Sequence, residues 1–262
     1  MAQRINLKVM VIDHDFYALR ALNSYMAWDR RTRVVGLAES FEQALTLLDE
    51  LPHVEHPSVV LLDSDTYDDA ELTQIVRSLQ RRIAKLDVIC LAHQKNAARV
   101  QLVYDLAARA YFLRNEVRLL LMNAIIYALQ RSFTVTRGVL EQLQAERSPL
   151  AERVDVLPRP REYPELTERI RQALWLYVIE GMPAQLAADE MGVSPHTVRS
   201  YIKEGYRILE AHDDSQYPEE MSPIERAFMR FTALDLHSGT PTEHTEASAK
   251  GSGQDSGQSE PS

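Results

Sequence analysis

Acidic side chains follow two short apolar stretches near the N-terminus. VMVID ends at Asp13 and runs on into His14 and Asp15, and VVLLD ends at Asp63. Carboxylate oxygens are the ligands that Mg²⁺ prefers, and a carboxylate in such a group can accept a phosphoryl group. Arg114, which follows a later apolar stretch, is a cation able to hold an acyl phosphate. These residue types predict a pocket in which Asp13, Asp15 and Asp63 bind Mg²⁺ weakly, provided that the fold brings them together.

Short apolar stretches alternate with helical patterns over the first 131 residues. They are rich in β-branched and aromatic residues, which is typical of strands buried on both faces of a parallel sheet. The sequence predicts five such strands: Leu7–Asp13, Val34–Ala38, Ser58–Asp63, Leu86–Ala92 and Arg109–Leu113.

The segments between these strands carry apolar residues at helical spacing. Alternating strands and helices give a doubly wound α/β fold, here with a five-stranded parallel sheet, and functional residues gather at the carboxyl ends of its strands. The candidate pocket residues lie at such ends. The predicted helices are Phe16–Trp28, Phe41–Leu51, Asp69–Ala84, Ala97–Ala108 and Glu116–Arg131.

This first part of the chain resembles the receiver domain of response regulators. VMVIDHD is similar to the first strand of that family, where adjacent acids prepare a metal site, and VVLLDSD is similar to its phosphoacceptor strand. LAARAYFLRN is similar to the region around its last strand. The resemblance implies that Asp63 is the phosphoacceptor, that Mg²⁺ assists its phosphorylation, and that a histidine kinase is a partner.

Three pocket positions depart from the family pattern. His14 stands at the second of the paired acids, Ala92 replaces a hydroxyl residue after the fourth strand, and Arg114 replaces a lysine. Imidazole is a poor Mg²⁺ ligand, alanine has no hydroxyl to donate, and guanidinium lacks the point geometry of an ammonium. Either Asp63 still accepts phosphate weakly, or the receiver serves dimerisation or ligand sensing without phosphorylation. We favour the second interpretation.

A second candidate site lies between Pro183 and Leu209. Ala184–Met191 predicts a short helix, Gly192 a turn with positive φ, and Ser194 with Pro195 the start of a second helix. The pattern predicts a helix-turn-helix that enters the major groove of DNA. Side chains suited to base edges and phosphates occupy the outward face of the second helix: His196, Thr197, Arg199, Ser200, Tyr201 and Lys203.

From Leu166 to Leu209 the chain resembles the LuxR-type effector domain. Tyr201 stands where that family usually has His, and Gly205 stands where it has a larger residue. A receiver followed by such a domain is the arrangement of NarL/FixJ regulators. The resemblance implies base contacts from Arg199, Ser200 and Lys203, and phosphate contacts from Thr197, Tyr201 and Arg207.

The second helix carries little positive charge. From 195 to 209 the three cations Arg199, Lys203 and Arg207 outnumber the single acid Glu204, a net charge of +2 with His neutral. One copy should therefore bind DNA weakly, and such readers usually act as dimers on repeated half-sites. We expect a homodimer. The resemblance implies pairing through the fourth helix, fifth strand and fifth helix, with Arg99, Tyr104, Arg109, Arg118 and Asn123.

The segments around the helix-turn-helix divide the rest of the chain. Residues 132–164 are expected to form a linker with one helix, 165–212 the DNA-binding domain, and 213–237 a helical extension. Ile224, Phe228 and Phe231 share one face of the extension, which either packs on the helix-turn-helix or binds a partner. Residues 238–262 contain no core residues and are expected to be disordered.

The bulk composition excludes several classes of protein. A net charge of −9 argues against nonspecific coating of nucleic acid but not against specific DNA binding. The single cysteine, Cys90, excludes an internal disulfide and a Cys-rich metal site. No apolar stretch approaches the length of a membrane span, so we expect a cytoplasmic protein. No nucleophile–base pair or Gly-rich phosphate loop appears, so we expect no enzyme activity.

The sequence predicts a DNA-binding transcriptional regulator of the two-component type, controlled through receiver dimerisation independently of phosphorylation. One alternative is a conventional regulator that is activated by phosphorylation of Asp63. The other is a receiver adaptor whose helical C-terminal domain binds a partner such as RNA polymerase. The low basic charge and the apolar face of the extension favour the adaptor, whereas the polar face of the second helix favours DNA.

Overall fold

A parallel sheet forms the N-terminal domain in the computed structural model, which describes residues 6–213, 215, 217, 218 and 220–236. Within these residues the sheet has seven strands: β1 (Leu7–Ile12), β2 (Thr32–Ala38), β3 (Val59–Asp63), β4 (Asp87–Ala92), β5 (Ala110–Leu113), β6 (Thr134–Val135) and β7 (Asp155–Val156). Their spatial order is β2-β1-β3-β4-β5-β6-β7, and every neighbouring pair is parallel. β1 and β3 are therefore adjacent, and their carboxyl ends meet at one edge of the sheet.

Helices cover both faces of the sheet, which confirms the predicted doubly wound α/β class. They are α1 (Phe16–Ala27), α2 (Phe41–Glu50), α3 (Asp69–Arg82), α4 (Ala97–Asp105), α5 (Arg114–Val117), α6 (Leu121–Ala128) and α7 (Arg137–Ala145). Apolar side chains of α1 and α6 pack on one face, and those of α2, α3, α4 and α7 pack on the other. No helix in the described part of the chain has the length and hydropathy needed to cross a membrane.

Local sequence explains where several of these helices begin. Asp15, Ser40 and Asn96 each cap a helix by accepting a backbone N–H in its first turn. Asp68 caps α3 in a reciprocal pair with Glu71. The predicted helix 116–131 is broken into α5, a 3₁₀ turn at Arg118–Leu120, and α6.

The sheet has more strands than the predicted five, and residues 132–164 belong to the sheet domain rather than to a separate linker, although the one helix expected there is present. β6 and β7 extend the sheet beyond β5, and α7 lies between them along the chain. The ring of Phe133 meets that of Tyr104 on α4 edge to face, with 5.3 Å between centroids. Strands of two residues are too short to show an alternating pattern, so neither strand could be predicted.

Three helices form the C-terminal domain: α8 (Glu168–Leu174), α9 (Ala184–Met191) and α10 (Pro195–Ala211). α8 continues into a π-helical turn at Trp175–Ile179. Gly205 of α10 faces α8 so closely that an added Cβ would stand 2.8 Å from side-chain carbons of Leu174. This close approach explains the small residue in the middle of α10.

A last helix, α11 (Pro223–Phe231), contacts both domains. Phe228 packs in the apolar core that also holds Ile208 and Leu209, and its ring stacks on Trp28, directly after α1, with 5.8 Å between centroids. Arg30 forms an ion pair of 3.0 Å with Glu225. The extension therefore packs on the helix-turn-helix, the first of the two expected alternatives, and also on the sheet domain.

Polar contacts hold the segment before α11 in place. Asp213 accepts hydrogen bonds from the Ser215 backbone N–H at 3.1 Å, the Tyr217 hydroxyl at 2.8 Å and Arg230 Nε at 2.9 Å. Burial raises the pKa of Asp213, but these hydrogen bonds outweigh it and lower the pKa below its usual value. Asp213 thus stabilises the extension in its ionised form. The predicted tail, residues 238–262, lies outside the described residues.

Candidate nucleic-acid interface and acidic pocket

Two buried carboxylates meet at the carboxyl ends of β1 and β3. The side chains of Asp13 and Asp63 are each only 2% exposed. Arg114, directly after β5, places Nη2 2.6 Å from Asp13 Oδ2 and 3.3 Å from Asp63 Oδ1. Arg114 Nη2 makes no hydrogen bond to either carboxylate, so the contact is an ion pair held by the opposite charges. The predicted meeting of Asp13, Asp63 and Arg114 is thus present in the structure.

His14 and Thr66 cover the outer side of the Asp63 carboxylate. His14 Nδ1 lies 2.8 Å from Asp63 Oδ2, although the His14 side chain is 61% exposed. Thr66 donates its hydroxyl to the same oxygen over 2.5 Å. Sequence reasoning missed Thr66; its available signal was a hydroxyl residue three positions after Asp63 in the same turn.

The pocket keeps Asp63 ionised. Burial raises the pKa of Asp63, but the hydrogen bond from Thr66, the charge of Arg114 and the contact with His14 together lower it below its usual value. A backbone hydrogen bond from Asp65 adds to this effect. The carboxylate is thus charged, with Thr66, His14 and the Asp65 backbone N–H in contact with its two oxygens.

Two of the predicted pocket residues have different roles. Asp15 caps α1, because its Oδ1 accepts the backbone N–H groups of Tyr17 and Ala18. The prediction of Asp15 as a metal ligand is therefore wrong, because its carboxylate caps the helix and is absent from the group of side chains close enough to share an ion. Ala92 is fully buried at the end of β4 and contributes no polar atom.

Mg²⁺ does not fit the pocket as it stands. The side-chain atoms that lie close enough to share an ion belong to Asp13, His14 and Asp63, whose candidate ligand atoms are all within 4.8 Å of one another. One of the three is an imidazole, whereas Mg²⁺ prefers oxygen ligands in octahedral geometry. The Arg114 guanidinium already contacts both carboxylates. The predicted set Asp13, Asp15 and Asp63 is thus not assembled.

The helix-turn-helix has the predicted local geometry. Gly192 ends α9 in the left-handed conformation, with φ 65° and ψ 36°, which costs glycine little. Ser194 caps α10 by accepting the Thr197 backbone N–H over 3.1 Å, and Pro195 is the first helical residue. These residues set the direction of α10 relative to α9.

One face of α10 is open to solvent. Val198, Ile202 and Leu209 are buried on the opposite face. Thr197 and Tyr201 are half-buried, and Tyr201 packs against the core of the domain. The exposed members of the predicted DNA-contacting set are His196, Arg199, Ser200, Lys203 and Arg207.

The charge on this face is partly neutralised within the helix. Arg207 is bound by Glu204, with Nη2 2.6 Å from Oε1. A hydrogen bond from Arg207 lowers the pKa of Glu204, so the acid stays ionised. Arg199, Lys203 and Arg207 border an open groove of about 800 Å³ that runs towards Tyr177. The groove is basic at Arg199 and Lys203 and nearly neutral at Arg207.

The face predicted to dimerise is covered by the chain itself. β6 pairs with β5, and α7 packs beside α4. Arg109 binds Asp87 over 2.6 Å, and Asn123 donates to the Thr232 carbonyl over 2.7 Å. The helix 4–strand 5–helix 5 surface is therefore not available in the form predicted, because the sequence did not reveal the added strands.

Comparisons with known proteins give one family match and a group of similar structures. Residues 164–209, which include α8, α9 and most of α10, match the family model described as Sigma-70, region 4. A comparison with curated proteins found no match.

The similar solved structures include several of the response regulator RcsB. One from Salmonella typhimurium has a TM-score of 0.47 and 20% identity, over 80% of this chain and 94% of that chain. An RcsB–DNA complex has a TM-score of 0.45 and 19% identity, with the same coverages. The isolated REC domain of RcsB from Salmonella enterica serovar Typhimurium has a TM-score of 0.44 and 20% identity, over 52% and 98% of the two chains.

Proposed function

We propose that the chain is a sequence-specific DNA-binding transcriptional regulator of the response-regulator type. The observation that carries this proposal is the exposed polar face of α10, which follows a glycine turn and a serine cap. The match of residues 164–209 to Sigma-70, region 4 supports it. The fold of the N-terminal domain, with acids at the ends of β1 and β3, supports the response-regulator type.

In this proposal α10 enters the major groove. Arg199, Ser200 and Lys203 contact base edges, because all three are exposed on α10 and Lys203 lies about one turn after Arg199 and Ser200. Thr197, Tyr201 and Arg207 contact phosphates and fix the orientation of the helix. A phosphate that binds Arg207 must compete with Glu204 for its guanidinium.

We infer that two chains bind together. A net charge of +2 on the recognition helix releases few counterions, so one copy binds DNA weakly. A homodimer on two half-sites doubles those contacts. Since β6 and α7 cover the surface first expected to pair, the contact between chains lies on another part of the molecule. Pairing, rather than phosphorylation of Asp63, is the control that we propose, and the chain has no enzymatic role.

The adaptor alternative has lost its main support. It relied on an apolar face of the extension that would be free to bind a partner such as RNA polymerase. That face instead packs inside the chain, where Phe228 contacts Trp28 and the core around Leu209. The exposed face of α10 remains, and its donors suit DNA. With this function we expect the chain in the cytoplasm, beside its DNA target.

Selection of DNA fragments tests the proposal. The purified full chain is incubated with fragmented genomic DNA, and the bound fragments are sequenced. We expect a shared motif, which Arg199→Ala weakens at one base position and Arg207→Ala weakens evenly across sequences. Arg81→Ala, the same change at an exposed position of α3, is the matched control. No enriched motif, or an identical motif for the parent and Arg199→Ala, would overturn the proposal.

A further inference from the structure

The acidic pocket already contains a cation of the chain's own. Arg114 Nη2 contacts Asp13 at 2.6 Å and Asp63 at 3.3 Å, and the Arg114 side chain is 15% exposed. A guanidinium keeps its charge at every ordinary pH. The two buried carboxylates thus have a permanent counter-ion placed between them.

All four carboxylate oxygens of the pocket are engaged. Asp13 Oδ1 accepts the Asp15 backbone N–H over 3.0 Å, and Asp13 Oδ2 faces Arg114. Asp63 Oδ1 accepts the Asp65 backbone N–H over 3.2 Å and faces Arg114. Asp63 Oδ2 accepts the Thr66 hydroxyl over 2.5 Å and lies 2.8 Å from His14 Nδ1. A metal ion that bound Asp13 Oδ2 or Asp63 Oδ1 on the side that these oxygens share would have to displace the Arg114 guanidinium.

Charge also opposes a metal ion in this pocket. A divalent cation bound at about 2.0–2.1 Å from the Asp13 and Asp63 oxygens would lie within a few ångströms of the Arg114 guanidinium. Two cations so close repel each other strongly where burial limits screening. The ring of His14 offers nitrogen rather than the oxygen that Mg²⁺ prefers.

We propose that Arg114 is the resident cation of this pocket and takes the place of a divalent metal ion. The carboxylates of Asp13 and Asp63 are then neutralised by the protein itself, whether or not Mg²⁺ is present. The N-terminal domain therefore folds and keeps its structure without metal. This inference rests on the pocket alone and stands whether or not α10 binds DNA.

Thermal unfolding of the full chain with and without millimolar Mg²⁺ or Mn²⁺ tests the proposal. We expect no change in Tm for the parent chain. Arg114→Ala removes the counter-ion, so its Tm is lower in metal-free buffer and rises by about 2 °C or more when the metal is added. In Arg114→Ala with Asp63→Asn the metal response is lost. Arg81→Ala, a matched change outside the pocket, behaves as the parent.

Direct binding of Mn²⁺, followed by the electron paramagnetic resonance signal of the free ion, gives an independent measurement on the parent chain. An unchanged signal supports the proposal even where Arg114→Ala fails to fold. The proposal would be overturned if the parent chain reduced the signal of free Mn²⁺, if Mg²⁺ restored that signal, and if Asp63→Asn left it unreduced. A folded Arg114→Ala chain that ignores both metals would overturn the claim that Arg114 holds the metal position. A stable mass increase of one phosphoryl group on Asp63, after treatment with acetyl phosphate and Mg²⁺, would also overturn the proposal.

Discussion

Phe228 should couple the stability of the two domains. Its side chain is 3% exposed, lies in the core of the C-terminal domain, and stacks on Trp28 of the sheet domain at an interplanar angle of 22°. Replacing a buried phenylalanine by alanine costs about 3–5 kcal/mol in the free energy of unfolding. The ring pair contributes about 0.5–1.5 kcal/mol of this, beyond the area that it buries. We therefore expect Phe228→Ala to weaken the C-terminal domain and its attachment to the sheet domain together.

Two tryptophans allow the domains to be followed separately. Trp28 belongs to the sheet domain, and Trp175 belongs to the turn that follows α8. In urea, the fluorescence of Trp175→Phe and of Trp28→Phe, which keeps an aromatic ring against Phe228, should report coincident transitions. In Phe228→Ala the Trp175 transition should move to lower urea than the Trp28 transition. Phe16→Ala makes the same change at a residue that is 47% exposed, and its cost should stay within about 0.5 kcal/mol.

A double-mutant cycle isolates the contact between the domains. The unfolding free energies of the parent, Trp28→Ala, Phe228→Ala and the double variant give the coupling energy of the ring pair. We expect about 0.5–1.5 kcal/mol. A coupling energy near zero, or coincident transitions in Phe228→Ala, would refute the view that α11 joins the domains.

The remaining predictions concern α10 and the extension. Gly205→Ala should destabilise the chain by about 1–3 kcal/mol in urea unfolding, because the added methyl group meets Leu174; a gain in stability would contradict the close packing. Glu204→Gln should free Arg207 for a phosphate and steepen the salt dependence of DNA binding by about one counterion, as measured by fluorescence anisotropy; an unchanged slope would show that Arg207 does not contact DNA. Because the pKa of Asp213 is lowered by folding, its contribution is present above about pH 4 and is lost as the pH falls through the folded-state pKa. Asp213→Asn should therefore be less stable than the parent at neutral pH, and a difference that persists unchanged in acid would contradict this.

Features that depend on neighbouring residues could be predicted from the sequence. The glycine turn at Gly192 and the serine cap at Ser194 depend on neighbouring residues, and both were predicted. The strand-end acids Asp13 and Asp63 were also predicted to meet, because adjacent parallel strands end at one edge. Each of these features follows from residue type and short spacing.

Contacts between distant residues could not be predicted in the same way. β6 and β7 have two residues each and show no periodicity, so the sequence could not predict that they extend the sheet beyond β5. The apolar face of α11 was visible, but its contact with Trp28 joins residues 200 positions apart. The role of Asp15 as a cap rather than a ligand depends on the direction of a turn, which residue types do not fix.

The most direct measurement for the central claim compares binding to two DNA duplexes at one salt concentration. One carries the motif from the selection experiment, and the other has the same composition in scrambled order. We predict that the parent prefers the motif by roughly 10³-fold or more, and that Arg199→Ala loses about 1–3 kcal/mol of this preference. Equal affinity of the parent for both duplexes, or an unchanged preference in Arg199→Ala, would contradict sequence-specific recognition by α10.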